Sequence, residues 1–372
     1  MIPISWIIHM LFGLTGFLFL FRIKYCKGTI TKANYKLAVS VIIPARNEEK
    51  NLPNLLTTLK NQVPLPDEII VVDDHSEDNT KRIAEQHGAL VIRSQSRPEG
   101  WTGKNWACYQ GYQQSTGEIL VFLDADTFLE KDGLAKIINT YLSNNSVISI
   151  QPFHKMIRFY EQFSAFFNIV LMAAMGSFTI LGNRVQPIGL FGPAMVLTRK
   201  QYESSGGHEM IKGELLEDLA YGNSLKREKV PLNNYGGKNA ISFRMYPNGI
   251  IELINGWGKG FAMGASKTSL PVLILIVVWI IGALGSTRYL LQNIAGAEII
   301  PLMLWALLYL FFVAQIFWML RRIGNFKIYT ALFYPIPLLF FILVFIYSLF
   351  SIFLKRNVKW KGREINLKTR NK

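Results

Sequence analysis

Three short apolar runs constrain this chain more than anything else in it, because each is cut off by polar or acidic residues. Val39–Ile43 runs into Pro44-Ala45-Arg46-Asn47-Glu48-Glu49, Ile69–Val72 into Asp73-Asp74-His75-Ser76, and Ile119–Leu123 into Asp124-Ala125-Asp126. None alternates apolar with polar residues, so each reads as a strand buried on both faces of a parallel sheet. Helical spacing returns over Asn51–Leu59, about Asn79–His87, and from Leu134 onward. Strands alternating with helices predict an α/β, doubly wound, mostly parallel sheet. Such sheets bind ligands outside the carboxyl ends of their strands, where all three polar breaks fall.

Asp124 and Asp126 are costly to hold side by side unless a cation neutralises them. A hard divalent ion suits that task, since it binds through one or two carboxylates and a substrate's phosphates. From the residues alone, Asp126 as cap of the next helix explains the pair as well. RPEGWTGKNWACYQG, Arg97–Gly111, is a glycine-punctuated loop entering a helix, in which Lys104 offers a point charge for phosphate; an ordinary turn is the plainer reading. Glu214, Glu217 and Asp218 fall at i, i+3 and i+4, one helix face, which implies a cationic ligand, a proton role or simple solvation.

The 372 residues are 50% hydrophobic with a formal charge of +15, and the apolar residues concentrate at the two ends. Ile2–Phe21 is long enough for a membrane anchor and lacks a cationic leader region. Leu270–Ser286, Ile299–Leu320 and Tyr329–Leu354 form an apolar group at the other end, with Pro335 and Pro337 predicting a break in the last. Cations flank these segments at Arg22, Lys24, Lys27, Arg321, Arg322, Lys355 and Arg356, which points to a membrane surface and a cytoplasmic catalytic part rather than to nucleic acid. Arg158–Leu181 is expected to lie in the membrane interface with its aromatics toward lipid; a buried core helix is the alternative. Cys26 and Cys108 form no metal or disulfide pattern.

With these residues in view, SVIIPARNEE (Ser40–Glu49), VVDDHSEDNT (Val71–Thr80), GWTGKNWA, FLDADT, FGPAMVLT and ELLEDLA resemble, in order and spacing over residues 38–265, the family 2 glycosyltransferases of the GT-A fold. QPFHKMIRFYEQFSAFFN (Gln151–Asn168), FRMYPNG (Phe243–Gly249), GWGKG and WKGR (Trp360–Arg363) are similar to the branch of that family that acts in bacterial carotenoid synthesis of the staphyloxanthin type. The resemblance implies a catalytic GT-A domain over 38–265, an anchor over 1–24, transmembrane helices over 268–354 and a basic cytoplasmic tail over 355–372. It implies a multi-pass cell-membrane protein, in possible contact with other enzymes of its pathway.

By the same resemblance, Ala45 and Glu48 line the nucleotide pocket and Asp74 reads the uracil ring. Lys104 lies near the diphosphate, Asp124 contacts the sugar nucleotide, and Asp126 binds the Mg²⁺ or Mn²⁺ bridging the diphosphate. Asp218 takes the general-base position, with Glu217 beside it. The Q-x-x-R-W motif of processive members is absent; Trp257 and Lys259 of GWGK are its nearest counterpart, on the acceptor side, which implies one sugar per acceptor. The implied reaction is an inverting transfer of glucose from UDP-glucose to the carboxyl of a carotenoid. A carboxylic acid, with a pKa of about 4, is already ionised near neutrality and needs no base; either it is protonated in its groove, or Asp218 and Glu217 mainly position groups. Another membrane lipid (a polyprenyl phosphate, diacylglycerol or hopanoid) is the alternative acceptor. A non-catalytic nucleotide-binding scaffold is the alternative outside enzymes.

Overall fold

The structure is a computed structural model of the 372-residue chain, describing residues 2–28, 37–144, 146–182, 186–214, 216–258, 261–296, 298–351, 357–360 and 363–366. The chain divides into two units. One is built from residues 24–154 and 187–244, the other from residues 1–23, 155–186 and 245–372.

Among the described residues, the first unit holds ten strands: β1 (Val39–Ala45), β2 (Glu68–Asp73), β3 (Leu90–Arg93), β4 (Ile119–Leu123), β5 (Thr127–Leu129), β6 (Val147–Gln151), β7 (Phe153–His154), β8 (Ala194–Thr198), β9 (Leu232–Gly236) and β10 (Ile241–Phe243). Seven form a sheet in the order β3-β2-β1-β4-β8-β6-β9, and β5, β10 and β7 form a small second sheet. β3, β2, β1 and β4 pair in parallel, β8 runs antiparallel to both neighbours, and β6 and β9 pair in parallel. The expected mostly parallel, mixed GT-A sheet is present.

Alternation along the strands builds a core on each face. Val39, Val41, Ile43, Val121 and Leu123 point to one side, where they meet Leu55 and Leu59 of the Leu52–Lys60 helix and Ile137 and Ile138 of the Gly133–Asn144 helix. Ile42, Leu120 and Phe122 point to the other, against Cys108, Tyr202, Tyr221 and Leu225. Both faces are covered by apolar side chains, which is why the strand sequences carry no polar alternation.

Two local expectations are corrected. β5 begins directly after Asp126, and the next helix starts only at Gly133, so Asp126 caps no helix. The helix carrying Glu217 and Asp218 begins at Glu217, and Glu214 lies before it, exposed, so the three acids do not share a helix face.

The second unit is helical. Ile4–Phe19 has 16 residues, a rise of about 24 Å, short of a hydrocarbon core of about 30 Å. Among the described residues, two helices are long and apolar enough to cross a membrane, Leu270–Ile294 and Ile299–Ile323. The last apolar stretch breaks where its prolines predict: Ile328–Leu332 ends, and a new helix opens at Pro335 and runs to Phe350. Gly16 permits a close approach here, since a Cβ would stand 2.7 Å from both the Trp279 Nε1 and the Gln315 Oε1. Those groups satisfy each other: Trp279 donates to Gln315 Oε1 at 2.7 Å, and Gln315 Nε2 donates to the Gly13 carbonyl at 2.9 Å.

Residues 155–186 and 245–265, expected in the catalytic domain, pack within this helical unit. The expected interfacial segment does not turn its aromatics outward. Phe166 and Phe167 of the Ala165–Ala174 helix are fully buried, Phe166 against Trp279 and Phe167 stacked on Trp257, while Phe159 at the segment's start is exposed. The side chains find apolar partners inside their own unit, as in the core-helix alternative. Lys259 and most of the basic tail lie outside the described residues; an antiparallel pairing of 357–360 with 363–366 is described there.

Candidate active site

The carboxyl ends of β1, β2 and β4 point to one end of the first unit, as parallel strands must. Ala45 closes β1 beside Asp73 of β2, and both are buried. The next residue, Asp74, donates its backbone N–H to the Ala45 carbonyl at 2.8 Å, and Arg46 donates to the Asp74 carbonyl at 2.8 Å. The Glu48 N–H donates to Thr80 Oγ1 at 2.8 Å, and its carboxylate accepts from Asn51 at 2.8 Å. Ala45, Glu48 and Asp74, the expected nucleotide-side residues, therefore gather where β1 and β2 end.

A second cluster lies where β4 ends. Thr102 caps the Gly103–Gln114 helix, its hydroxyl accepting from the Asn105 N–H, and this sets Lys104 in the first turn. The Lys104 ammonium lies 2.8 Å from one oxygen of Asp124 and 3.1 Å from the other, and 3.3 Å from Glu217. Glu217 and Asp218 open the Glu217–Arg227 helix, where the free N–H groups and the dipole favour negative charge. Gly192, just ahead of β8, sits over Asp218: a Cβ built there would be 2.2 Å from one carboxylate oxygen and 2.7 Å from the other. The Leu190 N–H donates to the Asp218 carbonyl at 3.2 Å and holds that loop in place. One cavity is lined by Lys104, Asp124, Gly192, His208, Glu217 and Asp218, with Phe122, Leu190, Phe191 and Met195 as apolar wall.

The electrostatics follow from crowding. Burial alone would lower the Lys104 ammonium, but Asp124, Glu217 and Asp218 outweigh it and hold the group well above the lysine range. Burial raises the Asp218 carboxyl well above the ordinary carboxylate range, Glu217 raises it further, and Lys104 offsets only part. Burial, with Lys104 nearby, pushes His208 down to about 3, so its imidazole is neutral.

Asp126 lies two residues beyond Asp124, in the turn between β4 and β5. Among the described residues no three of His, Cys, Asp and Glu gather to cage a metal ion. Asp126 offers carboxylate oxygen, the donor type that a hard divalent ion takes alongside a substrate's phosphates. Trp257 belongs to the helical unit, where its indole N–H donates to Ser164 at 3.1 Å. Sequence reasoning passed over Gly192 and His208. Gly192 stands inside FGPAMVLT and His208 follows Gly206-Gly207, but nothing in either spacing says which side chain they meet.

A mixed sheet of this order, with acids gathered at its strand ends, defines a GT-A-like enzyme, and the sequence matches glycosyl transferase family 2 over residues 40–202. The chain belongs to that family and is a glycosyltransferase. It is 34% identical to the 4,4'-diaponeurosporenoate glycosyltransferase of Staphylococcus aureus strain USA300, over 95% of this chain and 94% of that protein. Against the strain MRSA252 protein of the same name it is 33% identical, over 95% and 94%. Among solved structures, it is similar to the mannosyltransferase PcManGT of Pyrobaculum calidifontis in complex with GDP-Man and Mn2+, with a TM-score of 0.53 at 16% identity, covering 95% of this chain and 96% of that one.

Proposed function

We propose that the enzyme transfers one glucosyl unit from UDP-glucose to the carboxyl group of 4,4'-diaponeurosporenoate, giving a glucosyl ester with inversion at the anomeric carbon. The observation that carries this reading is the single cavity holding Lys104 between Asp124 and Glu217 with Asp218 alongside. The acceptor is taken from the relatives that the chain matches over 95% of its length.

Departure of the sugar builds negative charge on the diphosphate, and the Lys104 ammonium is a fixed positive charge for it, oriented beforehand by two carboxylates. Asp126 would hold a Mg²⁺ or Mn²⁺ ion, which when bound supplies Lewis-acid stabilisation of the same charge. Ala45, Glu48 and Asp74 would seat the nucleoside. A carboxylate acceptor is ionised near neutrality and attacks without a base. Burial and Glu217 raise the Asp218 carboxyl, which favours its protonated form, and in that form it would donate a hydrogen bond to the incoming carboxylate instead of repelling it. The Leu270–Ala295 and Ile299–Ile323 helices anchor the enzyme in the cell membrane, and Arg321 and Arg322 at the end of the second favour a cytoplasmic catalytic unit. A long polyene can then stay in the bilayer and offer only its acid end.

The test is to incubate membranes carrying the full chain with labelled UDP-glucose and 4,4'-diaponeurosporenoate, then extract lipid. A labelled carotenoid that loses its sugar under mild alkali is the expected ester. Alkali-stable label, or label only on another lipid, overturns the acceptor; no lipid label from any sugar nucleotide overturns the transfer itself.

A further inference from the structure

His208 is 6% exposed yet lines the cavity that holds Lys104, Asp124 and Asp218. The Tyr202 hydroxyl accepts the His208 backbone N–H at 3.0 Å and lies 2.9 Å from His208 Nδ1, so its own proton finds a partner in this pair when Nδ1 accepts it. With Nδ1 accepting and the ring neutral, the imidazole proton sits on Nε2. Among the described residues, the ring's hydrogen bond is the one at Nδ1. The ring is clamped between Phe122, at 4.9 Å, and Tyr221, stacked at 5.8 Å. Gly207 makes the arrangement possible: it has φ +50°, and a Cβ there would stand 2.3 Å from the Tyr202 ring. Hydrogen bonds tie the segment after His208 to the Lys104 helix: the Thr102 N–H donates to the Lys212 carbonyl at 2.7 Å, and the Asn105 amide donates to the Ile211 carbonyl at 2.8 Å and the Lys212 carbonyl at 3.3 Å.

A buried, oriented, neutral donor facing a cavity implies a ligand that accepts a hydrogen bond there. The rest of the cavity narrows the choice. Asp124 and Glu217 accept hydrogen bonds, Lys104 donates them, and Leu190, Phe191 and Met195 offer apolar wall. A hexosyl ring presents hydroxyls that donate and accept, and C–H faces that lie on apolar walls. A carboxylate at the same depth would face two carboxylates already sharing one ammonium.

We infer that His208 is a donor-sugar specificity residue, whose Nε2–H donates a hydrogen bond to one hydroxyl of the transferred hexose, with Tyr202 as the positioning residue that fixes the donating tautomer. The inference rests on the transferase reading above and adds to it a residue that discriminates between sugars.

The full chain in membranes is assayed with UDP-glucose, UDP-galactose, UDP-N-acetylglucosamine and GDP-mannose, then with monodeoxy analogues of whichever donor the wild type turns over fastest. UDP binding is measured separately. His208→Phe keeps an aromatic ring and removes the donor. It should raise the donor KM about tenfold, leave UDP affinity within about twofold, and become indifferent to one deoxy position to which the wild type is sensitive. Tyr202→Phe frees the tautomer and should raise the donor KM about threefold, with kcat changed less. A His208→Phe enzyme that binds UDP and keeps the wild-type donor KM and deoxy profile overturns the inference while the transferase reading stands. If His208→Phe fails to bind UDP, Tyr202→Phe decides: wild-type donor KM there overturns it. If the wild type itself transfers no sugar, the transferase reading falls and takes this inference with it.

Discussion

Adding one methyl group at Gly192 tests the site more sharply than deleting a charge. In Gly192→Ala the new Cβ would sit 2.2 Å from one oxygen of Asp218, 2.6 Å from its Cγ and 2.7 Å from the other oxygen, where ordinary contact begins at 3.4 Å. The backbone of Asp218 is held by the Leu190 N–H, so the carboxyl must swing away by a little over 1 Å. Misplacing a positioned group by about 1 Å costs on the order of a hundredfold in rate, about 2.7 kcal/mol on the barrier. Stability should hardly change, because an intruding methyl meets the movable end of a side chain, and Gly→Ala also restricts the unfolded chain by about 0.4–1 kcal/mol. The assay is initial-rate sugar transfer in detergent, read as kcat/KM beside a thermal melt. Combining Gly192→Ala with Asp218→Ala should cost no more than Asp218→Ala alone, since both act on one group. A folded Gly192→Ala enzyme within threefold of wild type would refute the claim that Asp218's placement matters to the reaction.

Three further outcomes are expected. The Asp218 carboxyl is raised in the folded state, so the unfolded chain loses that proton first as pH passes about 4; stability should fall as pH rises from there toward neutrality, and a melt series should show a flatter profile for Asp218→Asn. Lys104, raised above the lysine range, contributes constant stability throughout that window and loses it only at alkaline pH. Asp126→Ala, or excess chelator, should cut transfer at least about a hundredfold while leaving expression and membrane insertion intact, and full activity in either condition would rule out the metal role. Phe167→Ala empties a fully buried ring site stacked on Trp257 and should cost about 3–5 kcal/mol in denaturant unfolding; a loss under about 1 kcal/mol would mean that the helix repacks.

Much of this protein was legible before any coordinates. Uninterrupted apolar runs such as Ile119–Leu123 can satisfy their backbones and bury their side chains only inside a covered sheet, and parallel connections bring their acidic ends to one side. That reasoning placed Asp74 and Asp124 at strand ends, and proline chemistry placed the break before Pro335. Periodicity failed at Glu214, which fits a helix face by spacing but lies ahead of the helix, and at Phe166 and Phe167, whose apolar stretch reads the same whether lipid or protein covers it.

Local pattern encodes which strands form and where the chain turns polar, because those choices depend on neighbours in sequence. Which side chains meet across the fold depends on register and crossing, which no local window carries. Only the tertiary structure set Lys104 on Asp124 and Glu217, 20 and 113 residues onward, slid Gly192 over Asp218, and turned His208 toward the same cavity. The physical reason is distance: these contacts join the ends of β4 and β8 to the first turns of two helices, and packing alone brings those ends together.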